Sequence, residues 1–401
     1  MSTLASLDEY FKRFPSWPED SLLHRIDKVG PGSSWNIREL GTFQVLRRAP
    51  NRGPPAWLDE YAREAAIRVE ENEYLQSVLR LFDQDWRSFT HEVLTQSAGP
   101  LGSFVTLLSQ VLETPILSDP QRDLRTRTDF QAPARSNAPN TTDSPSSELS
   151  SSPSEYPNKR IRKDRSPSST PSSYAPSDES DQSTHDQRAK SETTTNACIY
   201  ELLRCVTEVS RKETDPPCRM EWAMNHDTFT VQAASHTFTT TNDGSFVHKI
   251  KHAGRWQRAS NYSYCSIEVS SIANLKSISI LIGHGKTKSW YDIVEKSWGV
   301  KAQEAAHMIA MFCQHIPDGP LQHNIVIPLV SGAQNLFSLV LGNFPIEYQQ
   351  YLRDGSQSQK LAFAEISEYG VFKLQDPEQL KVVFILIISL NLKLQSLGPI
   401  V

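Results

Sequence analysis

Apolar and polar positions change their rhythm along the chain. Between Pro55 and Trp86, the residues Leu58, Tyr61, Ala65, Val69, Leu75, Val78, Leu79 and Phe82 recur at intervals close to a helical stripe, with Glu and Arg between them. That spacing predicts amphipathic helix. "GPLGSFVTLLSQVL" predicts another helix, beginning after Gly99-Pro100. Further on, "ACIYELLRCVTEVSRK" reads as helix. "TFTVQAASHTFTTTNDGSFVHKIKHAGRWQRASNYSYCSIEVSS" is rich in β-branched and aromatic residues and is broken by "NDG" and "HAG", the pattern of a strand meander. "KAQEAAHMIAMFCQHI" returns to helix, and "NIVIPLVSGAQNLFSLVLGNF" predicts a hairpin turning at Ser331 to Asn335. In "DPEQLKVVFILIISLNLKL", Asp376 stands as N-cap, Pro377 at the first helical position and Gln379 where a capping box would use it. Helix, three strands, helix, two strands and a final helix predict an α/β or α+β body, a central sheet covered by helices.

Residues 118–195 follow neither rhythm. Ser, Thr, Pro and Asp dominate them, and such a segment cannot bury enough apolar surface to offset its ordering entropy. The expected organisation is therefore a small helical module at 1–117, a disordered linker at 118–195 and an α/β domain at 196–401. Within the linker, "KRIRKDR" gathers Lys159, Arg160, Arg162, Lys163 and Arg165. An exposed basic cluster on a tether fits a nuclear-import signal, so the nucleus is the expected compartment, with the cytoplasm as the alternative. Ser-Pro pairs at 152–153 and 166–167 would add negative charge beside it if phosphorylated.

Of the 401 residues 38% are hydrophobic, and the net charge is −5, which argues against the strongly basic surface of a general nucleic-acid binder. Five cysteines, an odd number without a CxxC pair, speak against a zinc site or a disulfide framework and fit a reducing compartment. "MSTLASLDEYFKRF" lacks the basic and apolar regions of a secretory signal. The longest apolar run, Val382 to Leu392, falls short of the roughly 20 residues that a membrane span needs. It reads as a buried helix, and no membrane partner is expected.

Two carboxylates carry the candidate chemistry. Asp243 lies in "TTNDGSF" and Glu268 in "CSIEVSS". If their strands pair through the "HAG" turn, the acids converge on one sheet edge, where paired carboxylates hold Mg²⁺ through oxygen. The bland alternatives are a turn aspartate before glycine and a solvent-facing strand glutamate. Taken together, "NDG", "YCSIEV", "QEAAHMIAMF", "IVIPLVSGAQNLFSLVLGNFPIEYQQYL" and "FKLQDPEQLKVVFILIISL" resemble the PD-(D/E)XK nuclease-like family, in the divergent form common in filamentous fungi, over about residues 199–394. The resemblance implies a restriction-endonuclease-like central mixed sheet flanked by helices. It also implies a Mg²⁺ site at Asp243 and Glu268, and Gln303 beside Glu304 as the helix residue that orients substrate or water. DNA or RNA would be the substrate.

The tripeptide itself departs from that pattern. It reads Glu268-Val269-Ser270, and serine lacks the charge and reach of the ε-ammonium group expected there. Lys249, Lys276 and Lys301 are the candidates for a relocated lysine. The sequence thus implies a nuclease-like protein with impaired or absent Mg²⁺-dependent phosphodiester hydrolysis. Its alternative is a catalytically degenerate regulatory module that binds nucleic acid or protein. The N-terminal helices are further candidates for a protein partner or for self-association. The histidines His226, His236, His248, His252 and His284 have no metal-ligand spacing. "LIGHGKTKSW" lacks the phosphate-loop pattern. "HKIKHAGRWQRASNYSY" mixes basic and aromatic residues that suit either nucleic acid or a packed strand turn.

Overall fold

A computed structural model describes residues 4–14, 29–51, 53–114, 179–212, 219–234, 236–252, 255–258, 263–270, 275–284, 287–316, 323–355 and 362–397. The basic cluster at 159–165 and the Ser-Pro pairs lie outside them. The chain divides into two units, Met1–Leu117 with His185–Val401, and Ser118–Thr184. Residues 1–117, set apart by the sequence as a helical module, thus share one compact unit with the α/β residues.

That unit is built on an eight-stranded mixed sheet, in the order β1-β12-β11-β10-β7-β5-β2 with β6 also paired to β5. Its strands are β1 (Val45–Arg47), β2 (Arg219–Ala223), β5 (Gly244–His252), β6 (Arg255–Arg258), β7 (Cys265–Val269), β10 (Ile325–Ala333), β11 (Leu336–Phe344) and β12 (Ala364–Lys373). β1 runs parallel to β12, and β10 parallel to β7; the other pairs are antiparallel. Two hairpins stand apart from the sheet, β3 (Thr228–Ala233) with β4 (His236–Thr241) and β8 (Leu275–His284) with β9 (Thr287–Lys296). The expected hairpin at Ser331 to Asn335 is β10–β11, with its turn at Gln334 and Asn335.

Alternation along each strand divides the core into two layers. Ile267, Val269, Val330 and Leu339 belong to one apolar cluster. That cluster also takes in α3 (Asp59–Glu71), α4 (Glu73–Phe82), α5 (His91–Ala98), α6 (Gly102–Glu113), α7 (Glu179–Val209) and α10 (Pro377–Ser396). Leu329, Val340, Ala364 and Ile366 belong to the other. It includes α1 (Leu7–Arg13), α2 (Ile37–Thr42), α8 (Trp298–His315) and α9 (Ile346–Asp354). The sheet is therefore a middle layer with helices on both faces.

α10 carries the apolar run read as a buried helix. Val383, Phe384, Leu386, Ile387, Ile388 and Leu390 along it are all buried, each contributing about 1.5–3 kcal/mol of burial. Its length and apolarity alone would allow a membrane span, but its apolar residues are part of the first core. Asp376 caps it by accepting the Gln379 N–H. The Gln379 side chain takes the Lys373 N–H at 2.8 Å, so the reciprocal half of the expected capping box is not made.

Candidate functional site

The face of the sheet under α8 carries a row of polar residues. In β7, Ile267 and Val269 point into the first core, which sends Glu268 to the α8 face. Ser331 lies opposite Glu268 across the β10–β7 ladder, and Ser338 lies opposite Ser331 across β10–β11. The alternation that places Ala364 and Ile366 in the second core puts Glu368 on this face too, and Arg47 of β1 follows Val45 onto it. At the other end, Gly244 of β5 pairs with Ile267. Asp243 therefore arrives beside Glu268, and its N–H donates to the Ile267 carbonyl at 3.0 Å. The two expected acids do converge, on adjacent antiparallel strands.

α8 closes over this row with Gln303, Glu304 and His307, which share one face of a helix. Gln303 Nε2 donates to Glu268 Oε1 at 2.5 Å. His307 Nδ1 lies 2.8 Å from Glu268 Oε2, with both side chains buried; the two atoms are close but not aligned as a hydrogen bond, and neither has a hydrogen-bond partner among the described residues. Asp243 Oδ2 accepts the Val269 N–H at 2.8 Å. Glu268 Oε1 and Asp243 Oδ2 thus each accept a hydrogen bond, while Glu268 Oε2 faces the His307 ring. Among the described residues, no group of three His, Cys, Asp or Glu side chains is placed to hold a metal.

Electrostatics follow from this enclosure. Burial pushes the Glu268 carboxyl up to about 7, against the pull of His307. Burial alone would lower His307, but Glu268, Asp243 and Glu304 raise it above its usual value. Asp243 is raised by burial, against the Val269 N–H and His307. Glu268 and His307 thus form a close, buried titratable pair, with Asp243 alongside.

Farther along the row, four charges form a buried network. Arg47 Nη2 lies 2.6 Å from Glu304 Oε2, and Lys296 Nζ lies 2.7 Å from both Glu304 and Glu368. Lys296 also donates to Ser331 and Ser338, each at 2.9 Å. Burial works against ionisation of Glu304, but Lys296 and Arg47 hold its carboxyl down at about 2. Sequence reasoning missed this network, because Arg47 and Glu368 stand far along the chain from Lys296 and Glu304, which are eight residues apart.

Among the lysines whose side chains are described, none takes the place that Ser270 leaves open. Lys249 pairs with Glu221. The Lys301 ammonium sits 4.9 Å from the centre of the Trp298 ring. Of Lys276 the structure describes only the backbone, on β8. Ser270 donates its backbone N–H to the Gly332 carbonyl at 2.9 Å, and its buried hydroxyl oxygen has no hydrogen-bond partner among the described residues. His307 was also missed as a site residue. Its one local signal is a polar side chain four residues after Gln303 in an otherwise Ala- and Met-rich helix. Compared with known proteins, the chain matches no family model and no curated protein.

Proposed function

We propose that this chain is a nuclease-like protein, its sheet of restriction-endonuclease type, with little or no phosphodiester turnover. It would serve as a regulatory module that binds nucleic acid or protein. One observation carries the reading: Glu268 stands beside Asp243 as a nuclease acid would, yet its strand offers Ser270, and no lysine with a described side chain, where an ammonium is needed. Lys296, whose partners Ser331 and Ser338 lie in the same row, is bound to Glu304 and Glu368. An attacking water and a developing phosphorane charge would lack the cation that stabilises them. The test is to install it. The natural chain with Mg²⁺ or Mn²⁺ should leave single- and double-stranded DNA and RNA intact. Ser270→Lys should raise cleavage, and Glu268→Ala in that background should remove the gain. Efficient cleavage by the natural chain, abolished by Glu268→Ala, would overturn the reading.

The second reading is Mg²⁺-dependent hydrolysis at Asp243 and Glu268, with Gln303 orienting water or substrate. It is favoured by the register that sets the two acids side by side.

A further inference from the structure

The geometry points to the slot between α7 and the free edge of β2 as a docking site for an extended peptide that carries acidic side chains. This deepens the binding role proposed above and rests on that reading, yet none of the residues involved belongs to the Asp243–Glu268 row. β2 ends the sheet order, and among the described residues its only strand partner is β5. The Phe246 carbonyl accepts the Tyr264 N–H at 2.9 Å, so the main-chain groups of Phe246 point to the β7 side. Trp222, opposite Phe246 in the register, therefore turns its own N–H and C=O away from β5. The Tyr200 hydroxyl reaches that carbonyl from α7, at 3.4 Å. By the same alternation Met220 presents its N–H and C=O to the open side.

The slot is shaped for one strand. Six consecutive residues, 220–225, line it. Side chains on a strand alternate between its faces, so a cleft that touches all six runs along the edge and not over one face. The opposite wall is the C-terminal part of α7, with Tyr200, Arg204, Thr207 and Glu208, and with Arg211 just beyond. Six strand residues span about 17 Å. The cleft holds about 410 Å³, within the ~300–1,000 Å³ usual for ligand clefts. Spread over that length, it leaves a channel roughly 5 Å across, the spacing of neighbouring strands. Three of the five charged side chains that line it are cations, Arg204, Arg211 and Lys249, in a chain whose net charge is −5. The two acids are already paired, Glu208 with Arg204 at 2.8 Å and Glu221 with Lys249. Glu201, the other partner of Arg204, does not line the slot. A peptide strand suits both walls: its main chain pairs with β2, and its carboxylates meet the cations. A second copy of this chain would bring its own α7 against this one and set like cations face to face. A nucleic-acid strand would meet the cations but has no alternating main-chain N–H and C=O to match the edge.

The experiment selects random eight-residue peptides, displayed on phage, on the immobilised full chain. Enriched sequences are then synthesised with a fluorescein label for anisotropy titration, and they should be rich in Asp and Glu. N-methylation of alternate backbone nitrogens removes donors and keeps the side chains. One of the two alternating series should weaken binding at least tenfold, and the other should leave it nearly unchanged. Met224 is 44% exposed at the outer end of the lined stretch, and Met224→Pro blocks the edge there without touching the β5 ladder. It should weaken binding at least tenfold with the urea midpoint unchanged, and Arg211→Glu should do the same to acidic peptides. The assignment is overturned if no sequence is enriched, if both N-methyl series bind alike, or if the folded variants bind as the natural chain does. Should a variant fail to fold, the two N-methyl series on the natural chain still decide. A thymidine oligonucleotide that displaces the peptides and is itself lost in Arg211→Glu would give the slot to nucleic acid and overturn the peptide. No readout involves cleavage, so failure here leaves the reading of Asp243 and Glu268 untouched.

Discussion

Arg47→Ala removes a partner from the most deeply buried charge among the described residues. The Glu304 side chain is 0% exposed, and Arg47 Nη2 approaches it to 2.6 Å. Without the guanidinium, Lys296 is the one cation left in contact with both Glu304 and Glu368, each at 2.7 Å. One positive charge then serves two carboxylates where water cannot compensate. Loss of one partner from a buried pair costs about 3–5 kcal/mol, a large share of the roughly 5–15 kcal/mol that holds a typical domain together. Urea unfolding at pH 7, followed by far-ultraviolet circular dichroism, should show the midpoint falling with the slope unchanged. The double variant Arg47→Met with Glu304→Met leaves no orphaned charge and should recover a large part of the loss. The sign of the pH dependence is fixed as well. Glu304 is held down at about 2 against a usual 4.5, so its stabilisation is present above 4.5 and lost as pH falls toward 2. The Arg47→Ala penalty should therefore shrink in acid. A loss within about 0.5 kcal/mol, the range of an ordinary surface change, would refute the network as described.

The Glu268–His307 pair should respond to pH in the opposite sense. Glu268 is raised from 4.5 to about 7 and His307 is raised above 6.5. Stability should decline from pH 4.5 through 7 for Glu268 and above 6.5 for His307, by up to about 3 kcal/mol for the carboxyl alone; Glu268→Gln should flatten the Glu268 part in a urea-midpoint series. Residues 185–401 expressed without 1–117 should give no cooperative unfolding transition, since β1 and Arg47 would be gone and α3 to α6 would leave the first core uncovered; a sharp calorimetric transition from that fragment would contradict the single-unit description. Gly370, at φ +89° with the Phe372 ring 2.1 Å from where a Cβ would stand, should lose at least about 1 kcal/mol as Gly370→Ala in the same urea assay. Replacing Lys159, Arg160, Arg162, Lys163 and Arg165 with Ala should shift a fluorescent fusion out of the nucleus, and an unchanged distribution would leave the cluster as linker charge.

What could be read in the sequence was local. The Asp376 cap, the helix after Pro100, the β10–β11 hairpin and the strand bearing Glu268 all announce themselves within a dozen residues, through capping chemistry or alternation. β1 is three residues long, too short to show any period, yet it completes the sheet edge and brings Arg47 to Glu304. β12 alternates in burial along its length but also carries Glu, Ser and Gly, which dilute its strand signal, so it went unread. The convergence of Asp243 and Glu268 was legible because a hairpin and its return strand link them over a short stretch. The partners of those acids were not. His307 and Lys296 come to the row through α8 and the segment just before it, and only packing of that helix on the sheet decides which side chains they meet. The alternation around Glu268 also fits a solvent-facing strand residue, but all of β7 is buried on both faces.

Asp243 and Glu268 are proposed to form a nuclease-like acid pair that does not turn over. The most direct test is single-turnover cleavage of labelled single- and double-stranded DNA and RNA by the full natural chain in excess, with Mg²⁺ and with Mn²⁺, beside Glu268→Ala prepared identically. Both proteins should give the same residual background. Cleavage by the natural chain well above that of Glu268→Ala would contradict it.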